Sequence, residues 1–114
     1  LNEVNKRNLI NGCAHITGGG LLGNLIRIVP DNLCMKIDLS KIKTKTIFKW
    51  LHKNKIQSSE MIKTFNCGVG FCLIVNKKNI NKVKSFFSKE YKPYPIGYLA
   101  KGKSKIKSYN QIKW

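Results

Sequence analysis

The residues best suited to chemistry in this 114-residue sequence form one run, His15-Ile16-Thr17-Gly18-Gly19-Gly20-Leu21-Leu22. Consecutive glycines let successive backbone N–H groups turn into one concavity, and a helix starting there adds roughly half a positive charge at its N-terminus. A phosphate is held in that way with little help from side chains, Thr17 adding a hydroxyl. His15 adds a ring donor, or a proton carrier near neutral pH. The run is neither the GxGxxG of dinucleotide sites nor the GxxxxGK(S/T) of P-loops. On composition alone it reads equally well as a tight strand-to-helix bend whose glycines permit close packing, with His15 a core residue of its strand.

A second segment, Thr64-Phe65-Asn66-Cys67-Gly68-Val69-Gly70, falls where a helix ends and a strand begins. Asn66 suits a left-handed cap, Phe65 anchors the turn in the core, and Gly68 and Gly70 admit a ligand or another backbone. The bland alternative, a cap followed by a bulge, is the one these residues favour when taken by themselves. Elsewhere the chain offers no paired carboxylates and no HExxH, and neither Cys67 nor Cys72 has a histidine nearby in sequence. His52 lies on the lysine-rich side of a helix and is expected to face solvent.

The elements that must position these residues follow from apolar periodicity. A short polar helix is expected over Glu3 to Ile10, ended by Asn11-Gly12, and Cys13 to Ile16 should be extended. Leu21, Leu22, Leu25, Ile26 and Val29 recur at helical spacing, which predicts a helix from about Gly19 until Pro30 stops it. Leu33 to Leu39 alternates as a strand. A helix capped by Thr44 or Thr46 then carries Ile47, Phe48, Trp50 and Leu51, and a serine-capped one from Ser58 carries Met61, Ile62 and Phe65. The run Val69 to Val75 is almost wholly apolar and is expected to be a central strand covered on both faces. Asn79 caps a helix with Ile80, Val83, Phe86 and Phe87 inward and Lys82, Lys84 and Lys89 outward. Ile96 to Leu99 after Pro93 and Pro95 reads as an edge strand, and a last strand follows the Lys101 to Lys105 turn. Helices interleaved with strands imply an α/β (α+β) fold, a mixed sheet with packed helices, in one domain over residues 1–114.

Bulk properties narrow the function. Twenty-two Lys+Arg against 5 Asp+Glu leave a net charge of +17, which ordinarily points to nucleic acid. Here the lysines are spread through every segment beside abundant asparagine and isoleucine, as a codon bias toward A and T would produce, and only Arg7 and Arg27 offer the bidentate reader of phosphates. A solvated lysine surface is the expectation, with neither nucleic acid nor membrane as partner. No apolar stretch reaches the roughly 20 residues that span a bilayer. Cys13, Cys34, Cys67 and Cys72 form no CxxC pair and are expected to be free thiols, mostly buried, in a reducing cytosol. Leu1 in place of a methionine suggests a boundary or a cut, and no leader is evident.

The order and spacing of several strings carry a resemblance. Cys13-Ala14-His15-Ile16-Thr17-Gly18-Gly19-Gly20-Leu21-Leu22, Arg27-Ile28-Val29-Pro30-Asp31, Ile37-Asp38-Leu39-Ser40, Phe48-Lys49-Trp50-Leu51, Glu60-Met61 and Thr64-Phe65-Asn66-Cys67-Gly68-Val69-Gly70 resemble the C-terminal domain of the phosphoribosylformylglycinamidine cyclo-ligase (AIR synthetase) family, from about Ile10 to Leu99. The resemblance implies an enzyme of purine biosynthesis that closes the imidazole ring of aminoimidazole ribonucleotide from formylglycinamidine ribonucleotide, using ATP with Mg2+. It further implies a cytoplasmic homodimer whose N-terminal domain, absent here, holds most of the ATP site, so that this chain is most of a C-terminal domain, incomplete at its own start and inactive alone. Substrate or phosphate would meet Thr17, Gly18, Gly19, Gly20 and His15, with Asn66, Cys67, Gly68 and Gly70 as the turn opposite. The chain departs from the family at Gly23, where members usually carry glutamate, and at Ile26, where they usually carry proline. Siblings in the same ATP-dependent superfamily, such as formylglycinamidine ribonucleotide synthase, selenophosphate synthetase or thiamine monophosphate kinase, share the architecture, and the Phe65 to Gly70 string favours the cyclo-ligase among them.

Overall fold

A computed structural model describes residues 6–114. The chain divides into two compact units, one of Leu1–Cys13 with Leu73–Pro95 and the other of Ala14–Cys72 with Ile96–Trp114. In the larger unit the strand order places β2 (Leu33–Asp38) between β4 (Gly97–Lys101) and β5 (Ile106–Tyr109). β2 runs antiparallel to β4, Leu33 facing Lys101 and Ile37 facing Gly97, and parallel to β5, Met35 facing Ile106 and Asp38 facing Tyr109. The sheet is therefore mixed, as the interleaving of elements implies, and β4 is the edge strand expected there.

The middle strand is a correction. The apolar run 69–75 was the expected central strand, but only Phe71–Ile74 (β3) is extended, pairing among the described residues with β1 (Gly12–His15) in a two-stranded ladder. A turn with Gly68 at φ 97° immediately precedes the run, and Phe71 is 54% exposed. Leu73 and Val75 owe their apolar character to a different task, packing with Leu9, Ile10, Val83, Phe86 and Phe87 in the core of the smaller unit. The strand covered on both faces is β2, where Cys34, Met35 and Ile37 are all buried.

Four helices complete the described residues. α1 (Gly20–Leu25) is six residues long and passes into a 3₁₀ turn at Ile26–Ile28, shorter than the span to Pro30 read from periodicity. Pro30 forces Val29 into extended geometry, φ −79° and ψ 121°, so the last turn tightens instead of continuing. Leu21 and Leu25 of α1 are each 1% exposed and the helix packs on α3 (Ser58–Thr64), whose Met61 is fully buried. Burial of side chains of this size removes them from water at about 1.5–3 kcal/mol each, which makes the α1–α3 contact the firmest base in this part of the chain.

The expected caps are not the observed ones. α2 (Thr46–Lys53) begins after Lys45 with no side-chain cap, and the Thr44 hydroxyl is buried without a partner. Ile47 and Trp50 of its apolar stripe stay 56% and 57% exposed, while Phe48 meets Phe65 at 6.1 Å. Ser58 does not cap α3, which follows Gln57. Its hydroxyl accepts a hydrogen bond from the Trp114 indole at 3.1 Å and shares another with His52 Nε2 at 3.1 Å. In the smaller unit α4 (Ile80–Ser85) buries Val83, but Asn79 makes no side-chain cap. Asn76 caps the 3₁₀ turn before the helix by accepting from the Lys78 amide at 3.1 Å, and the Arg7 guanidinium lies 5.0 Å from the Phe86 ring centre. Glu3 and Val4 of the expected first helix lie outside the described residues.

Candidate functional site

The glycine run is built from β1 outward. Ala14 and Ile16 are buried while His15 and Thr17 are exposed, the alternation of an extended segment with one covered face. His15 and Thr17 therefore share the open side. The His15 ring stacks on Phe71, centroids 4.6 Å apart and planes 10° from parallel, so the histidine is a surface group resting on an aromatic face rather than a core residue.

Past Ile16 the chain turns. The Gly20 amide donates to Thr17 O at 3.3 Å, with Gly19 at φ 95° and Gly20 at φ 75°, both in the left-handed region. The three glycines differ in what requires them. A Cβ on Gly20 would collide with the backbone carbonyl of Ile62 and crowd Lys63, so this glycine lets α1 approach α3. Gly19 supplies a turn conformation that side chains resist. Around Gly18 there is open space, with nothing within 4 Å of an added Cβ. The packing interpretation thus holds at Gly20, and the open surface needed by a ligand lies at Thr17, Gly18 and Gly19, all exposed.

Asn24, which the sequence left unremarked, holds the turn together. It is 5% exposed and its side-chain amide donates to Gly20 O at 2.6 Å, Thr17 O at 3.2 Å and Gly18 O at 3.3 Å. A spacing of four on α1 brings it over Gly20, and that spacing is the sequence signal for a donor to the loop carbonyls. The six-residue α1 carries less of a macrodipole than a helix running on to Pro30 would.

The second turn lies beside the first at one point, where the Ile16 amide donates to Gly70 O at 2.8 Å. Val69 N–H closes a four-residue turn on Asn66 O at 2.9 Å, with Cys67 at φ 53° and Gly68 at φ 97°. Two positive φ values in the central positions make it a primed turn. Asn66 is therefore not the left-handed residue expected of it. Its carboxamide oxygen instead accepts from the Gly68 amide at 2.9 Å, the local bond that asparagine makes in turns. Cys67 points inward, 1% exposed, donating from Sγ to Met61 O at 3.5 Å and more weakly to Phe65 O at 3.8 Å, and burial pushes its thiol up to about 11. A protonated, donating thiol of this kind is a structural group. Gly68 faces Lys43 O and Lys45 N, each 3.3 Å from an added Cβ, so only Gly70 of this turn adjoins the glycine run.

His52, expected in solvent, is half-buried and stacks on Trp114 at 4.7 Å. None of the four cysteines is in a disulfide; Cys34 and Cys67 are buried, Cys72 is intermediate and Cys13 is exposed. Among the described residues no three or more histidine, cysteine or carboxylate side chains come together to hold a metal, and no helix is long and apolar enough to cross a membrane.

A mixed sheet with packed helices and two adjoining glycine turns defines an α/β domain, and the chain belongs to the family of AIR synthase related proteins, C-terminal domain, which matches residues 1–109. It is 42% identical over 97 residues to the phosphoribosylformylglycinamidine cyclo-ligase of Streptococcus pneumoniae serotype 4, a stretch covering 84% of this chain and 28% of that protein. It is 37% identical over 105 residues to the bifunctional purine biosynthetic protein purD of Dictyostelium discoideum, covering 90% of this chain and 13% of that one. The chain spans less than a third of the length of these curated relatives.

Proposed function

We propose that this chain serves as the C-terminal domain of a cytoplasmic, homodimeric phosphoribosylformylglycinamidine cyclo-ligase. The observation that carries the reading is the 42% identity to the Streptococcus cyclo-ligase over 84% of the chain. In that reaction ATP phosphorylates the formyl oxygen of formylglycinamidine ribonucleotide. An amidine nitrogen then attacks the activated carbon, the oxygen leaves as phosphate, and the products are aminoimidazole ribonucleotide, ADP and phosphate. Holding both reactants together accounts for much of such an acceleration, so a domain with one edge of the cleft is inactive by itself.

The part assigned to this chain is anion binding at the glycine run. The amides of Gly18 and Gly19 and the Thr17 hydroxyl face the ribonucleotide phosphate, His15 stands beside them on the same face, and the Asn66, Cys67, Gly68 and Gly70 turn forms the neighbouring wall through Gly70. The Gly20 amide, already bonded to Thr17 O, is the least available of the amides first considered. ATP and its metal are assigned to the remainder of the enzyme, as the resemblance to the cyclo-ligase family implies.

Titrating the 15N-labelled chain with formylglycinamidine ribonucleotide should move the Gly18 and Gly19 amide signals first, and saturably. Still signals under saturating ligand would remove the phosphate role. Assay of the whole gene product against the substrates of the cyclo-ligase and of its superfamily siblings decides the activity, and cyclisation catalysed by the 114-residue chain alone would overturn the division of labour.

A further inference from the structure

We infer that Asn24 is the positioning residue of the glycine loop, turning its carbonyls inward so that the amides of Gly18 and Gly19 face outward to an anion. The inference rests on the anion-binding reading of the loop and adds the device that sets its geometry.

Asn24 is, among the described residues, the polar side chain found in the buried core, flanked on its own helix by Leu21 and Leu25 at 1% exposure. A carboxamide in such surroundings is costly unless its polar atoms are used. Its two Nδ2 protons serve three carbonyls, Gly20 O, Thr17 O and Gly18 O at 2.6, 3.2 and 3.3 Å, so that one proton is shared. In a trans peptide the C=O and the N–H of the next residue point in opposite directions. Carbonyls of Thr17 and Gly18 drawn toward Asn24 therefore aim the N–H groups of Gly18 and Gly19, both exposed, away from it. Packing does not explain the same conformation, because nothing lies within 4 Å of a Cβ placed on Gly18 or Gly19. Glycine loops with no side-chain contacts are free to sample many φ and ψ values, and one interior donor selects among them. Fixing donors in advance of the charge they meet is what gives an anion site its strength.

The experiment uses the 15N,13C-labelled chain with inorganic phosphate as probe. Couplings transmitted through hydrogen bonds from Asn24 Nδ2 to the carbonyl carbons of Thr17, Gly18 and Gly20, with slow exchange of the Nδ2 protons, are the expected result for the unaltered protein. Asn24→Leu and Asn24→Asp keep the shape and lose the donors. Either variant, with Leu25 and Met61 methyl signals unmoved, should show altered residual dipolar couplings at Gly18 and Gly19 and phosphate binding weakened about tenfold or more. Missing couplings together with fast Nδ2 exchange in the unaltered chain overturn the inference, as does a folded variant whose loop couplings and phosphate affinity are unchanged. If neither variant folds, the couplings in the unaltered chain decide. Couplings present without any phosphate response leave Asn24 as the loop's clamp and sink the anion reading instead.

Discussion

The two glycine turns look alike in sequence and are wired in opposite senses. At Thr17–Gly20 the fixing group is a donor, the Asn24 carboxamide, which takes up carbonyls and leaves amides outward. At Asn66–Val69 the fixing groups include an acceptor, the Asn66 oxygen, which takes up the Gly68 amide, and a thiol that ties Cys67 to Met61 O. The first turn is exposed at Thr17, Gly18 and Gly19; the second presents little beyond Gly70. Whether a glycine turn can receive an anion therefore depends on which half of its peptide groups the protein has already satisfied.

The largest test of that contrast is Gly20→Ala. The new methyl group meets the Ile62 carbonyl in a residue held at φ 75°, so overpacking and backbone strain act together. A loss of about 3–5 kcal/mol is expected by urea denaturation, and a loss under about 1 kcal/mol would mean that α1 is not pressed against α3 as described. Gly68→Ala at φ 97°, with contacts of 3.3 Å that can relax, should cost about 1–3 kcal/mol. Should it cost more than Gly20→Ala, the second turn would be the tighter of the two.

Titration separates the turns as well. The Cys67 thiol rises from 9.0 to about 11 because burial opposes the thiolate. A folded value above the unfolded one means that the favourable contribution is complete below pH 9 and declines as pH rises from 9 toward 11. Stability measured against pH should fall across that window, and Cys67→Ala should flatten the fall. Alkylation at neutral pH is expected at exposed Cys13 and not at Cys67 until the chain unfolds; rapid native labelling of Cys67 would place it on the surface. The smallest structural effect belongs to Gly18→Ala, within about 0.5 kcal/mol since the site is open. The same substitution should reduce phosphate-induced shifts, because its methyl group narrows the approach to the loop amides.

Much of this arrangement was legible from residue order. Strand β2 alternates visibly, the breaks at Gly18–Gly20 and Gly68 are announced by composition, the division of Val83 from Lys82 follows helical spacing, and Pro93 and Pro95 foretell an edge. What escaped depends on distance along the chain. Ser58 reads as a cap by local rules, and only the fold brings Trp114 and His52 to its hydroxyl. The Val69–Val75 run looks like a doubly covered strand because apolar continuity does not say which surface it meets, and part of it serves the Leu9–Val83 cluster. At the candidate site the backbone donors were legible and their arrangement was not. An asparagine inside a helical stretch reads as an indifferent residue, and its value appears once three carbonyls are found around it.

The place of β2 between β4 and β5 also governs the order of events during synthesis. Leu33 pairs with Lys101 and Met35 with Ile106, so both flanks of the middle strand must come from residues made long after it. Until the segment past residue 106 leaves the ribosome, an apolar strand rich in Cys34, Met35 and Ile37 waits with open edges. Pairings so remote in sequence form slowly and expose such edges to other chains, which makes the C-terminal segment carrying β4 and β5 a closing clasp for the nascent protein and its loss a direct route to aggregation.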